Sequence, residues 1–439
     1  MPLKQRLEGK DMNIAIDAST LNEKNRAGVS EYAYQLIKEF AKVSDNLYTL
    51  YFRQLPDKEL IQELIGDNKN MYVKVVESKR FWTQVGLAKE LNKSQFDIFF
   101  SPRHTLPILT RKTLKKVVVI HDVGYGKYHS VFKKSLFNLS TMWALRVADK
   151  VIAVSSVTKQ KLLENYNIKE EKVSVVYEGV DYQFFQSTEI LRSLALSQND
   201  VEKMHRHPDF PPVIASVAWQ SKTAASGTPR SDEHLRHSEV IAEESTISED
   251  LSQIKNKYNL NNNYIFFIGT IQPRKNLKNQ FKAFKNFIEQ NKINDLEFVV
   301  AGANGWKYQD ILDCPKKLGI ENKVKFIGRV DDKDLTLLFK GAKFTTFVSK
   351  EEGFGLPILQ SMASGTAVIT SNVSSMPEVA GESAILADPT SINAITKGYK
   401  ELYFNDALRE DLRQSGLKRV LMFTWQKTAE STLQIFSKL

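Results

Sequence analysis

Two cations, Arg274 and Lys275, stand after the apolar run YIFFIG and just before a helix-forming stretch. Placed there, they could meet a pyrophosphate and stabilise the negative charge that builds on it as it departs. A second stretch with chemical potential is FVSKEEGFGLPILQSMASG, at 347–365. It runs from apolar residues into Glu351 and Glu352, then Gly353, Phe354 and Gly355, and then Leu356, Pro357 and helix formers. This pattern predicts a strand, a tight loop and a helix whose start is set by a proline. Such a unit aims the free N–H groups of a helix's first turn beyond the strand, and its glycines let a phosphate approach the main chain. The same glycines also suit plain strand-to-helix packing, and spacing alone leaves both readings open. A third group is His121 with Asp122, closing the run KKVVVI. A histidine there can serve a substrate or be an ordinary hydrogen-bonded strand end.

These groups need strands to carry them, and the chain supplies two series. NIAIDA, LYTLYFR, MYVKVV, FDIFFSP, KKVVVIHD, KVIAVS and KVSVVYEG form the first; YIFFIGT, LEFVVAG, KVKFIG, KFTTFVS and TAVITS form the second. Helical patterns separate most of them, as where Val29, Tyr32, Ala33, Leu36, Ile37, Phe40 and Ala41 mark one apolar face. Strands alternating with helices build parallel sheets covered by helices, with ligands at the carboxyl ends of the strands. Between the series, residues 187–263 show no sustained period and hold four of the seven histidines. This stretch reads as an inserted surface segment, and His205, His207, His234 and His237 lack the spacing of a metal site.

Composition narrows the function classes. At 439 residues with 42% hydrophobic and 26% charged residues, the chain reads as a soluble globular protein of two ordinary domains. No run has the length of a membrane span, and MPLKQRLEGKDMN lacks a signal peptide's apolar core, so a cytoplasmic location is expected, with the first eleven residues a loose tail. The single cysteine, Cys314, fits a reducing compartment. The formal charge of +10 calls for an acidic partner or none. Arg111, Lys112, Lys115 and Lys116, with Lys133 and Lys134 nearby, could touch an anionic membrane surface or form a solvated face. Nucleic acid is not expected, because the basic residues are dispersed and no recognition module accompanies them.

The run Glu352-Gly-Phe-Gly-Leu-Pro, continuing through SMASG to AVITS and MPEVAG, resembles the signature of the retaining family-four glycosyltransferases (glycosyl transferases group 1). The resemblance implies the GT-B architecture: two Rossmann-like doubly wound domains facing a cleft, here with an irregular insert between them. Residues 1–186 would be the acceptor-side domain, 187–263 the insert, 264–422 the nucleotide-sugar domain, and 423–439 a helix packing back toward the first. The family pattern has a second Glu after seven intervening residues, where this chain has Gln360. By resemblance, Lys275 binds phosphate. Arg274 takes up part of the task of an arginine whose place is held by Thr270. Glu352 bonds the donor sugar's hydroxyls, Gln360 grips the ribose, and Val330 offers its main chain to the base. Gly28, Gly353, Phe354, Gly355 and Leu356 line the donor, and His121 contacts the transferred sugar. The Asp332-Lys-Asp334 triplet reads as a helix cap, and neither a metal nor another cofactor is expected.

The implied activity is transfer of a hexose, with mannose a candidate because GTIQPRKNL resembles members that use GDP-mannose. The donor would be a nucleoside-diphosphate sugar. The acceptor would be a saccharide or lipid-linked saccharide, met in the cytoplasm or at the inner membrane face during cell-envelope polysaccharide synthesis. The competing reading is a non-catalytic sugar-nucleotide-binding partner whose donor site is degraded at Gln360.

Overall fold

The computed structural model describes residues 12–22, 28–43, 46–78, 81–123, 131–181, 184 and 249–439. Expectations for residues 1–11, for Gly124 and Gly126, and for the insert up to residue 248 with its four histidines lie outside them.

Two parallel sheets organise the chain. The first holds β1 (Asn13–Asp17), β2 (Leu47–Phe52), β3 (Met71–Val75), β4 (Ile98–Ser101), β5 (Lys115–Ile120), β6 (Lys150–Ala153) and β7 (Val173–Val175), in the order β3-β2-β1-β4-β5-β6-β7. All its pairings are parallel, and β1 sits in register with β4 through Ile14 opposite Ile98 and Ile16 opposite Phe100. Strands covered on both faces must be apolar throughout rather than alternating. Accordingly Phe99, Phe100, Val117, Val118, Val119 and Ile120 are fully buried. The second sheet holds β8 (Asn263–Ile268), β9 (Leu296–Ala301), β10 (Val324–Gly328), β11 (Phe344–Phe347), β12 (Val368–Ser371) and β13 (Ile385–Ala387), in the order β10-β9-β8-β11-β12-β13. Each order reverses direction once, between β1 and β4 and between β8 and β11. In doubly wound sheets that reversal opens a crevice at the carboxyl ends, where ligands bind.

The chain divides into two compact units: the described residues up to Gly179 with Phe423–Leu439, and those from Val180 to Met422. The helix Trp425–Phe436 belongs to the first unit. It packs on the helix Val29–Val43, and the Phe436 ring lies 5.4 Å from Phe100 and 6.1 Å from Phe40. Its Thr428 hydroxyl donates to the Tyr177 carbonyl at 2.8 Å.

Two elements differ from the sequence reading. Residues 249–257, inside the stretch without a sustained period, are helical and lead toward β8. The helix is anchored by buried Ile254 and by Lys257 and Tyr258, which both donate to Asp334 Oδ2, at 2.5 and 2.8 Å. Asp334 therefore ties two helices together rather than capping its own, Asp332–Lys340, whose N-cap is Asp331. Strand β13 had no sequence signal: it has three residues, one of them the exposed Leu386, at a sheet edge. Among the described residues, no helix is long and apolar enough to cross a membrane.

Candidate functional site

In the second unit, β8 and β11 are neighbours at the reversal point, and their carboxyl-end loops meet. The Lys350 N–H donates to the Arg274 carbonyl at 2.8 Å. The Asn276 side-chain amide donates to the Val348 carbonyl at 3.0 Å and to the Pro389 carbonyl at 2.8 Å. A buried relay fixes the backbone at Lys275. Gln280 donates to the Lys275 carbonyl at 2.8 Å and accepts from Thr346 at 2.7 Å, and Thr346 in turn meets the Tyr399 hydroxyl at 2.8 Å. Buried polar groups satisfied in this way hold a single arrangement, because any movement would strand one of them.

The loops bring three charged side chains together. Glu352 accepts from Lys275 Nζ at Oε1, at 2.6 Å, and from Arg274 at Oε2, at 2.5 Å. Only 5% of Glu352 and 6% of Lys275 remain exposed, so the pair is desolvated and depends on its mutual attraction. Lys275 Nζ also lies 4.7 Å from the centre of the Phe347 ring. Burial alone would push the Glu352 carboxyl up, but Lys275 and Arg274 outweigh it and hold the group below its ordinary value. These three side chains sum to one positive charge, with Glu351, also buried, next to Glu352 in the chain and its carbonyl accepting from Arg274 at 3.1 Å.

The glycine turn follows directly. Gly355 sits at φ 119°, where a side chain would be strained, and is the N-cap of the helix Leu356–Ala363. Ser375 Oγ donates to the carbonyls of Glu352 and Phe354 at 3.1 and 2.6 Å, fixing Gly353 between them. Ile358, Leu359 and Met362 bury the helix's inner face, and Gln360 is only partly buried. Thr270 is exposed just past β8, and Val330 follows the edge strand β10. Sequence reasoning placed Glu352 on a sugar and the cations on a phosphate; the structure joins all three in one ion cluster.

His121 and Gly28 belong to the first unit. Gly28 is exposed, and its carbonyl accepts from the Tyr32 N–H at 2.9 Å, at the start of the helix Val29–Val43. His121 closes β5. Its Nε2 lies 2.9 Å from the Pro102 carbonyl and its Nδ1 3.0 Å from Glu178 Oε1, while its N–H donates to His104 Nε2 at 2.9 Å. The partner of Nδ1, Glu178, lies 57 positions further on in the chain. Glu178, His104 and Tyr32 were missed because nothing in their spacing links them to His121.

The basic cluster at 111–116 lies at the amino edge of the same sheet, away from the strand ends that carry His121. There Arg111 donates to the Phe96 carbonyl at 3.0 Å, Lys116 to Thr110 Oγ1 at 3.1 Å, and Lys115 pairs with Asp149 at 3.4 Å. These contacts tie loops to the sheet.

Two family models match the chain: Glycosyltransferase Family 4 over residues 26–184 and Glycosyl transferases group 1 over residues 248–419. Over 176 residues the chain is 31% identical to O-antigen chain mannosyltransferase B of Escherichia coli, covering 40% of this chain and 46% of that one. It is 27% identical over 214 residues to the serotype-specific mannosyltransferase WbdA of Escherichia coli, covering 48% of this chain and 26% of that one. The chain thus spans less than half the length of these curated relatives. In fold it is similar to Anabaena HepE, solved in complex with UDP and glucose, with a TM-score of 0.64 at 14% identity over 98% of this chain and 100% of that one. With Glycosyltransferase Family 4 matched in the first unit and Glycosyl transferases group 1 over the second sheet, the two models together span most of the chain, which belongs to the glycosyltransferases they describe.

Proposed function

We propose that the protein is a retaining glycosyltransferase that moves a hexose, mannose, from a nucleoside-diphosphate sugar to a saccharide or lipid-linked saccharide in cell-envelope polysaccharide synthesis. The observation that carries this reading is the buried cluster of Arg274, Lys275 and Glu352 at the β8/β11 reversal point, beside the N-terminus of Leu356–Ala363. Its net positive charge suits a diphosphate, and the free amides of a helix start add to it. The names of the mannosyltransferase relatives support the choice of sugar.

In the proposed reaction, the bond between the sugar's anomeric carbon and the diphosphate oxygen breaks, and its electron pair leaves with the diphosphate. Lys275, Arg274 and the amides at Gly355 and Leu356 stabilise that charge as it develops, in a site already organised to receive it. The acceptor hydroxyl forms its new bond on the face the diphosphate vacates, and its proton passes to a phosphate oxygen. Glu352 holds the two cations in place and turns its remaining lone pairs to the sugar's hydroxyls, while Gln360 meets the ribose.

Thermal unfolding with UDP, GDP, ADP and their sugar conjugates tests the donor site. A ligand at about 100 times its dissociation constant adds about 2.7 kcal/mol. Stabilisation by one base, followed by a product whose anomeric configuration matches the donor's, is expected. No stabilisation by any nucleotide would overturn the reading.

A further inference from the structure

Surface helices of the first unit turn polar residues outward. Lys58, Glu59 and Gln62 are exposed on the helix Lys58–Leu64, and Gln160 and Glu164 on the helix Ser156–Asn165. The helix Val131–Val147 breaks this pattern. Its inner face is apolar as it should be, with Ala144 and Leu145 buried against the core. Its outer face is apolar too: Leu139 and Met142 are each 47% exposed and Trp143 40%. With exposed Arg146 these residues follow the i, i+3, i+4, i+7 spacing of one helix face. Single apolar side chains on a surface need no explanation, but a helix apolar on both faces has a second apolar surrounding to meet.

The charge beside this stripe is positive. β5, β6 and β7 are parallel neighbours, so their amino ends share one edge with the last turn of the helix. Lys172 Nζ donates to the Leu145 and Arg146 carbonyls at 2.7 and 3.3 Å, and Lys150 Nζ to the Glu171 carbonyl at 2.7 Å. Arg111, Lys115 and Lys116 stand on the same edge, and bonds to neutral oxygens leave a cation's charge in place. Asp97 and Asp149 are set among these cations. The acids beyond them, Glu170 and Glu171, pair with Lys159 and Lys169 at 2.9 and 3.4 Å, so the edge keeps an excess of positive charge.

We infer that the outer face of the helix Val131–Val147 docks on an anionic lipid surface. Leu139, Met142 and Trp143 enter the boundary between headgroups and acyl chains, and the cations of the neighbouring edge meet the lipid phosphates. An apolar stripe flanked by Lys and Arg is what an element lying in that boundary requires, and tryptophan is at its most favourable there. A second copy of the chain seated on the same face would instead bring two positive edges together, which repel. Docking does not depend on the proposed transfer, because vesicles free of any saccharide decide it.

The full chain is floated with vesicles of phosphatidylcholine alone and of phosphatidylcholine mixed two to one with phosphatidylglycerol. Wild type should float with the mixed vesicles and far less with the neutral ones. Salt at about 1 M, where the Debye length is about 3 Å, should remove most of that preference. Replacing the exposed pair, Met142→Ser with Trp143→Ser, should lower partitioning by about 10- to 100-fold. Arg146→Gln leaves the stripe intact; it should lower partitioning about fivefold, and it carries the test if the double variant does not fold. Leu55→Ser and Phe81→Ser remove exposed apolar side chains elsewhere in the unit and should change nothing. Failure of wild type to float with the mixed vesicles, or a double variant that floats as wild type does, would overturn the inference. A lipid-free dimer that the double variant turns into a monomer would overturn it as well, with a second copy as the occupant.

Discussion

Lys275 Nζ stands 2.6 Å from Glu352 Oε1 in a site where both side chains are more than nine-tenths buried, although the residues are 77 positions apart. Each is the other's reason for being charged there. Lys275→Met should leave Glu352 with Arg274 alone and cost about 3–5 kcal/mol in urea unfolding. Adding Glu352→Gln should recover part of that loss, so the double variant should fall short of the sum of the singles. Additive losses would mean that the two side chains do not depend on each other.

Acid should weaken the first unit before the second. Burial, with His121 and Arg103 alongside, pulls His104 down to about 3. The unfolded chain binds a proton there from about pH 6.5 downward, whereas the folded chain does not. Stability is therefore complete above that pH and falls toward pH 3 by at most about 1.4 kcal/mol per pH unit. Glu352 has the depressed carboxylate's window: its contribution is present above its ordinary value of 4.5 and is lost as pH falls through its lower folded value. His104→Gln keeps an acceptor for the His121 N–H and should flatten the pH 6.5 to 4.5 slope while sparing the lower one. Denaturant midpoints taken at half-unit pH steps measure both.

Gln360 offers one carbonyl acceptor where a carboxylate would offer two charged ones. Gln360→Glu is expected to tighten nucleoside-diphosphate binding by about 1–2 kcal/mol, roughly 5- to 30-fold, with little change in thermal stability because the position is only partly buried. Calorimetric titration of both forms settles the sign. Weaker binding by the glutamate variant would make glutamine the adapted residue.

Gly179→Ala places a methyl group 2.2 Å from the Trp425 backbone nitrogen, and neither chain segment can yield without moving main chain. We expect a loss of about 3 kcal/mol, near the top of the usual overpacking range. Limited proteolysis should detect early release of the segment from Phe423 onward. An unchanged digestion pattern and midpoint would contradict that contact.

What could be foreseen in the sequence follows the physics of each signal. Buried parallel strands such as VVVI at 117–120 and FVVA at 298–301 must be apolar throughout, and that run is visible without a structure. The Gly-Phe-Gly turn and the Arg274-Lys275 pair are local patterns and were equally legible. Their union with one carboxylate depends on which strands lie side by side, and no spacing rule encodes that. Glu178 shows the same limit: a lone acid in EGVD gives no sign that a histidine in another loop will need it. The helix at 249–257 was hidden because Ile254 is its one fully buried apolar anchor; its other ties are polar contacts to Asp334, 77 positions from Lys257.

The first unit is discontinuous in the chain, since its last helix follows Met422. A ribosome adding about 5–20 residues per second needs roughly 10–50 s to cross Val180–Met422 before that helix exists. Throughout that interval the faces of Phe40, Phe100 and Tyr32 that meet Phe436 and Trp425 have no cover, while the second unit can already close. The domain made first is therefore the domain finished last, and the nascent chain's period of greatest exposure to chaperones and proteases falls on the half that carries His121.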